Sequence, residues 1–369
     1  MTIGIVGGGQ LGRMMALAGY PLGLQCLFLD RSADTPAAQV APSLIGELTN
    51  EALLCELAQR TEVLSFDWEN VSVPALRAAT RGTRVRIAPP LRALAIAQDR
   101  RSEKRLFERL RIPTTRYAAV DTLAALQHAV TEIGLPGVLK TRRMGYDGKG
   151  QRVLRNAKDL PAAWHELGGS GLLYEEFIAF DFEVSIIGVR GHTGEVAFYP
   201  LCRNRHHEGI LRLTTAPFEH LALRRSAEAH LRAVLTDLRY VGVLTIEFFV
   251  RKGRLVANEM APRVHNSGHW TIEGAVTSQF ENHLRAICGL PLGDTAVRGH
   301  AGMINLIGRV PRREQLLKQP GLHLHDYGKT PRASRKVGHL TVLAASAQRR
   351  DSQIRAILQG IYPALRAIR

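Results

Sequence analysis

Short runs of apolar residues alternate with helical patterns along the first hundred positions of the chain. Apolar runs occupy residues 3–6, 24–29, 63–66 and 85–87, and a helical pattern occupies residues 11–19. Strands that alternate with helices in this way form parallel sheets. The pattern therefore predicts an α/β domain with a parallel sheet over residues 1 to about 100.

A different pattern begins after a charged helical segment at residues 102–110, which Ile112-Pro113 brings to an end. Strands are predicted at residues 138–140, near Val153 and at 172–177. Beyond Phe182 the pattern favours mostly antiparallel strands, a helix over 222–238 and two strands around Arg251-Lys252-Gly253. More strands from about Met303 and a C-terminal helix complete the chain, whose 369 residues suit two or three domains.

The composition is that of a globular protein, with 45% hydrophobic and 22% charged residues. No apolar run is long enough to cross a bilayer, and the apolar N-terminus lacks the basic start of a secretory signal, so we expect no membrane partner. The four cysteines are far apart and form no C-x-x-C pair. Free thiols in a reducing compartment are expected, which indicates a cytoplasmic protein.

The chain is strongly basic, with 49 Lys and Arg against 33 Asp and Glu and a formal net charge of +16. A nucleic-acid binder would explain such a charge. However, the basic residues are spread along the chain and no block is interleaved with stacking aromatics. We therefore expect no nucleic-acid partner, and a minority of the charge to serve phosphorylated small molecules.

The first glycine loop, Gly7-x-Gly9-x-x-Gly12, lies between a predicted strand and a predicted helix. With Asp30 downstream it fits the dinucleotide fingerprint, which would indicate an NAD-dependent oxidoreductase. Any phosphate can use a glycine-lined helix N-terminus, so a phosphorylated substrate fits equally well. A purely structural tight turn is the third interpretation.

A second glycine loop, residues 145–150, follows the predicted strand that ends at Lys140. A flexible loop preceded by a lysine can fold over triphosphate oxygens and exclude water. On its own the segment is more often a hairpin turn than a phosphate-binding loop.

Two glutamates, Glu247 and Glu259, lie twelve positions apart in apolar strands on either side of Gly253. They would share a face of an antiparallel hairpin if its loop had roughly three or five residues. Buried like charges need a cation between them, and Mg²⁺ joins carboxylates to substrate phosphates. We therefore favour a metal site over two glutamates on a solvated strand.

The segment 259–270, EMAPRVHNSGHW, resembles the signature of the 5-(carboxyamino)imidazole ribonucleotide synthase family of ATP-grasp ligases. Segments 9–14, 145–151, 208–212 and 334–340 agree with that family in the same order, so the resemblance spans nearly the whole chain. It implies a three-domain ATP-grasp fold, α/β and α+β. The domains would be a Rossmann-like domain over 1–105, a small lid domain over 106–178 and a C-terminal domain over 179–369, with a small β-rich subdomain from about 300.

In this family the nucleotide lies between the middle and C-terminal domains, so the resemblance implies that ATP and Mg²⁺ are bound there. Glu247 and Glu259 match the metal ligands. The positions that match the surroundings of ATP are Arg100, Lys140, Gly145, Tyr146, Asp147, Gly148, Lys149, Gly150, Glu175, Glu176, Phe177, Ile178, Glu183, His206, Asn258 and Glu259. Cations would face the phosphates, and Glu183 would accept hydrogen bonds from the ribose.

The family's reaction carboxylates the exocyclic amine of 5-aminoimidazole ribonucleotide in de novo purine biosynthesis. ATP activates bicarbonate as carboxyphosphate, and ADP and phosphate are released. The implied substrate-binding residues are Gly9, Gln10, Leu11, Glu69, Ser267, Arg335 and Lys336, and the implied catalytic residues are Tyr146, Asp147, Arg263, His265 and Asn266. Asp147 is the candidate to take or orient the proton of the amine.

The resemblance also implies small-molecule substrates and a homodimer. One departure is Met144, which stands where relatives often have a glycine. The alternatives at this stage are an NAD-dependent oxidoreductase and another ATP-grasp carboxylase or ligase.

Overall fold

The strands form three sheets that follow one another along the chain. The structure is a computed structural model that describes residues 1–145 and 148–360. No helix in these two described segments is long and apolar enough to span a membrane.

The first sheet has five parallel strands in the order β3-β2-β1-β4-β5. Its elements are β1 (Thr2–Val6), α1 (Gln10–Gly19), β2 (Gln25–Asp30), β3 (Ser43–Ile45), α2 (Glu51–Gln59), β4 (Val63–Phe66), α3 (Val73–Ala79), β5 (Arg86–Ile87) and α4 (Leu91–Ala97). The predicted parallel sheet is confirmed. The strand order reverses between β1 and β4, and the carboxyl ends of two such strands open a crevice where ligands bind.

The second sheet has four antiparallel strands in the order β6-β9-β7-β8. This part of the chain contains α5 (Arg100–Arg109), β6 (Tyr117–Val120), α6 (Leu123–Ile133), β7 (Gly137–Thr141), β8 (Gln151–Leu154), α7 (Leu160–Glu166) and β9 (Leu172–Glu176). Its buried apolar residues, among them Leu139, Trp164 and Tyr174, form a cluster drawn from this unit alone. We refer to β6–β9 with α6 and α7 as the lid unit.

The third sheet has nine strands in the order β15-β14-β10-β12-β13-β16-β18-β17, with β11 paired to β10, and its neighbours run antiparallel. Its strands are β10 (Phe182–Arg190), β11 (Val196–Phe198), β12 (Cys202–His207), β13 (Ile210–Ala216), β14 (Gly242–Arg251), β15 (Arg254–Ala261), β16 (His300–Ile307), β17 (Leu322–Asp326) and β18 (Lys336–Ala344). Its helices are α8 (Leu221–Asp237), α9 (Thr271–Gly274), α10 (Gln279–Cys288), α11 (Arg313–Leu316) and α12 (Ala347–Gly360).

Helices α1 and α10 join the first and third sheets. Met14 and Met15 of α1 belong to the same buried cluster as Leu284 and Ile287 of α10. The two sheets therefore share a core, whereas the lid unit has its own. The domain limits at residues 105, 178 and about 300 remain a proposal; the three sheets span residues 2–87, 117–176 and 182–344.

Candidate active site

A cleft of about 820 Å³ lies where the three sheets meet. Each sheet contributes to its wall: Gly9 follows β1, Lys140 lies on β7, and Glu247 lies on β14. The crevice at the carboxyl ends of β1 and β4 opens into the same space, which explains why Glu69, three residues beyond β4, lines it.

Glu247 and Glu259 face each other across the hairpin of β14 and β15, where they are direct register partners. The turn has two residues, Lys252 and Gly253, because Arg251 pairs with Arg254. Both turn residues have positive φ, 50° and 71°, as a type I′ turn requires. The loop of three or five residues predicted from the sequence is therefore wrong.

A β-bulge brings the two carboxylates together in place of a longer loop. Phe248 pairs with Ala257, and the next pair is Glu247 with Glu259, so Asn258 is the extra residue. An uninterrupted ladder would pair Glu247 with Asn258 and would turn Glu259 to the other face of the sheet. Asn258 and Glu259, although consecutive, both line the cleft.

The two carboxylates have different electrostatic surroundings. Burial raises the pKa of Glu247 to about 7, with Glu259 adding to the effect. Burial acts in the same direction on Glu259, but Arg100 and Lys140 offset it and lower the pKa below its usual value. Nη1 of Arg100 lies 3.2 Å from Oε2 of Glu259. Glu259 is thus held charged, whereas Glu247 is only partly ionised near pH 7.

Lys140 and Glu175 belong to a buried charge cluster beside this pair. Oε2 of Glu175 lies 3.2 Å from Nζ of Lys140 and 3.3 Å from Nζ of Lys104, and it accepts a hydrogen bond from Thr115. Burial would raise the pKa of Glu175, but the two lysines lower it strongly, so Glu175 is ionised. Burial lowers the pKa of Lys140.

Glu183 and His206 are joined on neighbouring strands, with Oε2 of Glu183 2.8 Å from Nδ1 of His206. Burial alone would lower the pKa of His206, but Glu183 and Glu247 raise it above its usual value. The His206 imidazole thus lies against Glu183, a predicted nucleotide-binding residue, and is influenced electrostatically by Glu247, a predicted metal ligand.

The last residue of β9, Glu176, and the two residues after it, Phe177 and Ile178, form part of the cleft wall. The backbone N–H groups of Glu176 and Phe177 already donate to the carbonyl oxygens of Arg116 and Pro136. Backbone hydrogen bonds from this segment to an adenine would therefore come from its other N–H and C=O groups.

The second glycine loop packs against the turn between β12 and β13. A Cβ on Gly148 would lie 3.0 Å from Cα of Gly209 and 3.1 Å from the carbonyl oxygen of Glu208. Met144, 60% exposed, has φ 63°, a left-handed conformation that favours glycine. A glycine, which the resemblance leads us to expect at this position, would adopt the same conformation without strain.

The first glycine loop contacts two carboxylates of its own unit. Gly8 N–H donates to Oδ2 of Asp30 at 2.6 Å, and Gly12 N–H donates to Oδ2 of Asp67 at 3.2 Å. Burial raises the pKa of Asp67 to about 6. Asp30, the acid that an NAD enzyme would use to bind ribose, is thus engaged with the loop itself.

Predicted site residues from the parts of the chain that form the first and third sheets approach one another. Nη2 of Arg263 lies 3.1 Å from Oε2 of Glu69, and Nζ of Lys329 donates to Oε1 of Gln10 at 2.5 Å. The cleft wall also includes the predicted residues Gly9, Leu11, Asn266, Arg335 and Lys336.

Two predicted residues do not reach the cleft wall. Ser267 is fully buried beneath His265, with Oγ 2.8 Å from Nδ1 of that imidazole. Gly150 packs against Thr141, whose Oγ1 would lie 2.5 Å from an added Cβ. Tyr146 and Asp147, predicted to contact ATP and the amine, lie outside the described residues.

Three buried site residues were not predicted: Asp67, Glu103 and Lys104. Asp67 follows β4 directly, so its place at the strand-order reversal was the available signal. Glu103 continues the apolar face of α5, three and four positions before Leu106 and Phe107. Its Oε1 accepts a hydrogen bond from Met260 N–H at 2.6 Å, and burial raises its pKa to about 8.

A second cavity, of about 850 Å³, lies between β12, β13 and α12. None of the predicted site residues lines it, and it contains no facing pair of glutamates like that of the cleft. The chemistry therefore points to the cleft and not to this cavity.

The fold and the cleft define an ATP-grasp enzyme. Residues 105–280 match the model of the ATP-grasp domain, residues 1–98 that of the ribonucleotide synthetase preATP-grasp domain, and residues 301–353 that of the phosphoribosylaminoimidazole carboxylase C-terminal domain. The chain belongs to the N5-carboxyaminoimidazole ribonucleotide synthase family and is an ATP-dependent ligase. This assignment replaces the NAD interpretation of the first glycine loop.

Individual relatives match over their whole length. The chain is 48% identical over 362 residues to N5-carboxyaminoimidazole ribonucleotide synthase from Pseudomonas aeruginosa, covering 97% of this chain and 100% of that one. The crystal structure of the Thermus thermophilus synthetase aligns with a TM-score of 0.92 at 49% identity, covering 97% and 98% of the two chains. The Aspergillus clavatus synthase in complex with ADP and 5-aminoimidazole ribonucleotide aligns with a TM-score of 0.90 at 28% identity, covering 97% of each.

Proposed function

We propose that the cleft is where this enzyme carries out the ATP-dependent carboxylation of 5-aminoimidazole ribonucleotide. The observation that carries the proposal is the facing pair Glu247 and Glu259, with Lys140 and Arg100 beside it, in a space that all three sheets line. A ligase that joins nucleotide, bicarbonate and ribonucleotide needs one water-poor space with contacts to all three.

The nucleotide would lie between the lid unit and the third sheet. Lys140, Lys149 and Arg100 supply positive charge for its phosphates, and the glycine loop covers them. Glu183 and His206, on the neighbouring strands β10 and β12, would meet the ribose.

The oxygen ligands of the hairpin fit Mg²⁺, a hard cation that takes one or two carboxylates plus phosphate oxygens and water. In the described segments no three metal-binding side chains converge. Glu247 and Glu259 would therefore hold the ion together with ATP, and the ion would neutralise the charge that develops during phosphoryl transfer.

The ribonucleotide would bind at the other end of the cleft. Its phosphate would meet the N-terminus of α1, at Gly9, Gln10 and Leu11, together with Arg335 and Lys336. Arg263, His265 and Asn266 would line the space near the amine, next to Glu247.

The reaction has two steps. An oxygen of bicarbonate attacks the γ-phosphorus of ATP, the bond to the β-phosphate oxygen breaks, and ADP and carboxyphosphate form. The amine then takes up the carboxyl carbon, phosphate leaves, and the amine gives up one proton. Lys140 and Lys149 stabilise the transferring phosphoryl group, and Asp147 remains the predicted proton acceptor.

The test is release of ADP in bicarbonate and Mg²⁺, with and without 5-aminoimidazole ribonucleotide. We expect strict dependence on the ribonucleotide, and a fall of about 100-fold or more in Glu259→Gln, since removing a group that stabilises transition-state charge costs 10²–10³. Glu228→Gln, on the outer helix α8, is the matched control and should keep full activity. ADP release that is indifferent to the ribonucleotide would indicate another ATP-grasp ligase.

We further propose a cytoplasmic homodimer. The scattered cysteines, all four of them free thiols, support the compartment. Light scattering of the purified protein measures the oligomeric state directly, and a monomeric mass would contradict the dimer.

A further inference from the structure

A chain of buried hydrogen bonds runs from His265 into the third sheet. Oγ of Ser267 lies 2.8 Å from Nδ1 of His265, and Oγ of Ser185 donates to Oγ of Ser267 at 2.8 Å. Behind them, Nδ2 of Asn204 donates to Ser185 at 3.0 Å, and Thr214 donates to Oδ1 of Asn204 at 2.9 Å. The four residues behind His265 are at most 3% exposed. A fully paired buried network of this kind specifies one arrangement.

The backbone N–H of Ser267 favours one protonation state of His265 at the start of this chain. The N–H of Ser267 donates to Nδ1 of His265 at 3.2 Å. A backbone N–H can only donate, so Nδ1 must accept and carries no proton. A proton on Nδ1, in the other tautomer or in the imidazolium, would face that N–H. The geometry therefore leaves Nε2 as the protonated nitrogen.

The directions of the other bonds are consistent with this one. The Ser267 hydroxyl donates to Nδ1, so its oxygen is free to accept from Ser185. The single proton of Ser185 is then used, and its oxygen accepts from the Asn204 amide. The orientation of the Asn204 amide is thus consistent with the protonation state of the His265 imidazole, which lies three hydrogen bonds away.

We propose that Ser267, Ser185 and Asn204 are positioning residues that hold His265 as a neutral imidazole with its proton on Nε2, the nitrogen that faces Glu247. Nε2 lies 3.4 Å from Oε1 of Glu247. The proposal deepens the function given above, because it rests on His265 lining the space proposed for the amine.

The role of His265 in the reaction follows from this arrangement. Its Nδ1 is turned into the protein and already accepts hydrogen bonds, and its Nε2 already carries a proton. His265 therefore does not take the proton of the amine. Gln279 holds its backbone from both sides, accepting from His265 N–H at 3.0 Å and donating to His265 C=O at 2.6 Å.

The first test is the ¹⁵N NMR spectrum of the full-length, nucleotide-free protein, with the signals of His265 identified by their loss in His265→Gln. We expect a protonated Nε2 and an unprotonated Nδ1 near neutral pH. A protonated Nδ1, alone or together with Nε2, overturns the proposal. This spectrum needs no variant of the network.

Asn204→Asp tests the direction of the chain. An ionised carboxylate only accepts, so the Ser185 hydroxyl would turn towards it and the Ser267 hydroxyl would turn towards Ser185. We expect an Nδ1-protonated form to appear, and the added substitution Ser267→Ala to remove it again by cutting the chain. Thr245→Val is the matched control, because its buried hydroxyl on β14 has no partner in the described structure.

If Asn204→Asp fails to fold, Ser185→Ala replaces it, since the loss of the Ser185 hydroxyl frees Ser267 and should give mixed tautomers. An unchanged His265 spectrum in every folded network variant overturns the relay.

The NMR spectrum and the ADP-release assay test two different claims. An enzyme without ribonucleotide-dependent ADP release would defeat the proposed function and leave the tautomer of His265 measurable. An active enzyme with a protonated Nδ1 would defeat only the relay.

Discussion

Glu247 and Glu259 show how one residue type takes two states within a single hairpin. Glu259 has Arg100 and Lys140 nearby, which favour its charged form. Glu247 is more deeply buried, at 13% against 43% side-chain exposure, and its charged form is disfavoured. Below about pH 7 the two facing carboxyl groups therefore differ in charge, Glu259 being ionised and Glu247 protonated.

This difference predicts a pH dependence of magnesium-linked nucleotide binding. The raised pKa means that Glu247 keeps its proton below about pH 7, and that proton competes with the cation. Affinity for ADP at limiting Mg²⁺ should therefore rise by up to about tenfold per pH unit towards pH 7 and level off above it. Calorimetric titration between pH 5.5 and 8.5 measures it.

Glu247→Gln is the control for this titration, because an amide has no proton to lose. Its weaker binding should show no step near pH 7. An affinity that falls with rising pH in the wild-type protein would contradict the assignment of Glu247 as a ligand.

Single residues of the site were predictable from the sequence where a motif contained them. The acidic pair and the lysine before the second glycine loop were found in this way, and all three line one cleft of the structure. Asp67 and Lys104 were not predicted. The position of Asp67 depends on the strand order and that of Lys104 on a face of α5, and a local motif indicates neither.

At the scale of elements, helix α5 ties the lid unit to the hairpin of the third sheet. Lys104 is 1% exposed. Its Nζ donates hydrogen bonds to the hydroxyl groups of Thr114 and Thr115 and to the carbonyl oxygens of Ala257 and Asn258. The same ammonium group lies 3.3 Å from Glu175 of β9. One buried cation thus connects α5, β9 and β15.

We expect Lys104→Met to lower the free energy of unfolding by about 3–5 kcal/mol, because it leaves a buried carboxylate and two carbonyl groups without this partner. Urea unfolding followed by fluorescence measures the change. Lys158→Met, at an exposed position, is the control. A loss no larger than that of the control would show that Lys140 alone compensates Glu175.

Most elements followed from the periodicity of the sequence, including the strands at 63–66 and 172–176 and the helix α8. β3 was not predicted, because its three residues are only partly buried or exposed and carry no alternation. The loop length predicted for the hairpin of the two glutamates was wrong. A β-bulge depends on how two strands pair, and the sequence pattern of either strand alone does not indicate it.

At the scale of the whole molecule, the two kinds of core predict a two-body motion. The first and third sheets share apolar residues through α1 and α10, whereas the lid unit has its own cluster. The lid unit meets the other units through polar contacts, such as Nη2 of Arg142 with Oδ2 of Asp99 at 2.9 Å. Polar contacts of this kind exchange with water more readily than a packed core does.

We expect ADP with Mg²⁺ to slow amide hydrogen exchange in residues 137–154 by up to about 100-fold when the ligand is at 100 times its Kd. Strands β1 and β2 should be nearly unchanged, and they serve as the internal reference. Equal protection of all three units would mean that the lid unit does not move on its own.

The basic charge of the molecule is not concentrated at the cleft. Among the described residues that line it, nine are Lys or Arg and nine are Asp or Glu. The formal excess of +16 therefore lies on other surfaces, as the scattered distribution in the sequence predicted.

The extra residue in β15 makes the site depend on chain length as well as on chemistry. With a two-residue turn, partners in a regular hairpin are separated by an odd number of positions, and the two glutamates are separated by an even one. We expect Asn258→Ala, which keeps the count, to weaken ATP binding less than deletion of Asn258. The deletion would straighten the strand and shift Glu259 and Met260 relative to α5. Equal kcat/KM for ATP in the two variants would contradict this expectation. A larger loss on deletion would mean that natural relatives can replace Asn258 more freely than they can omit it.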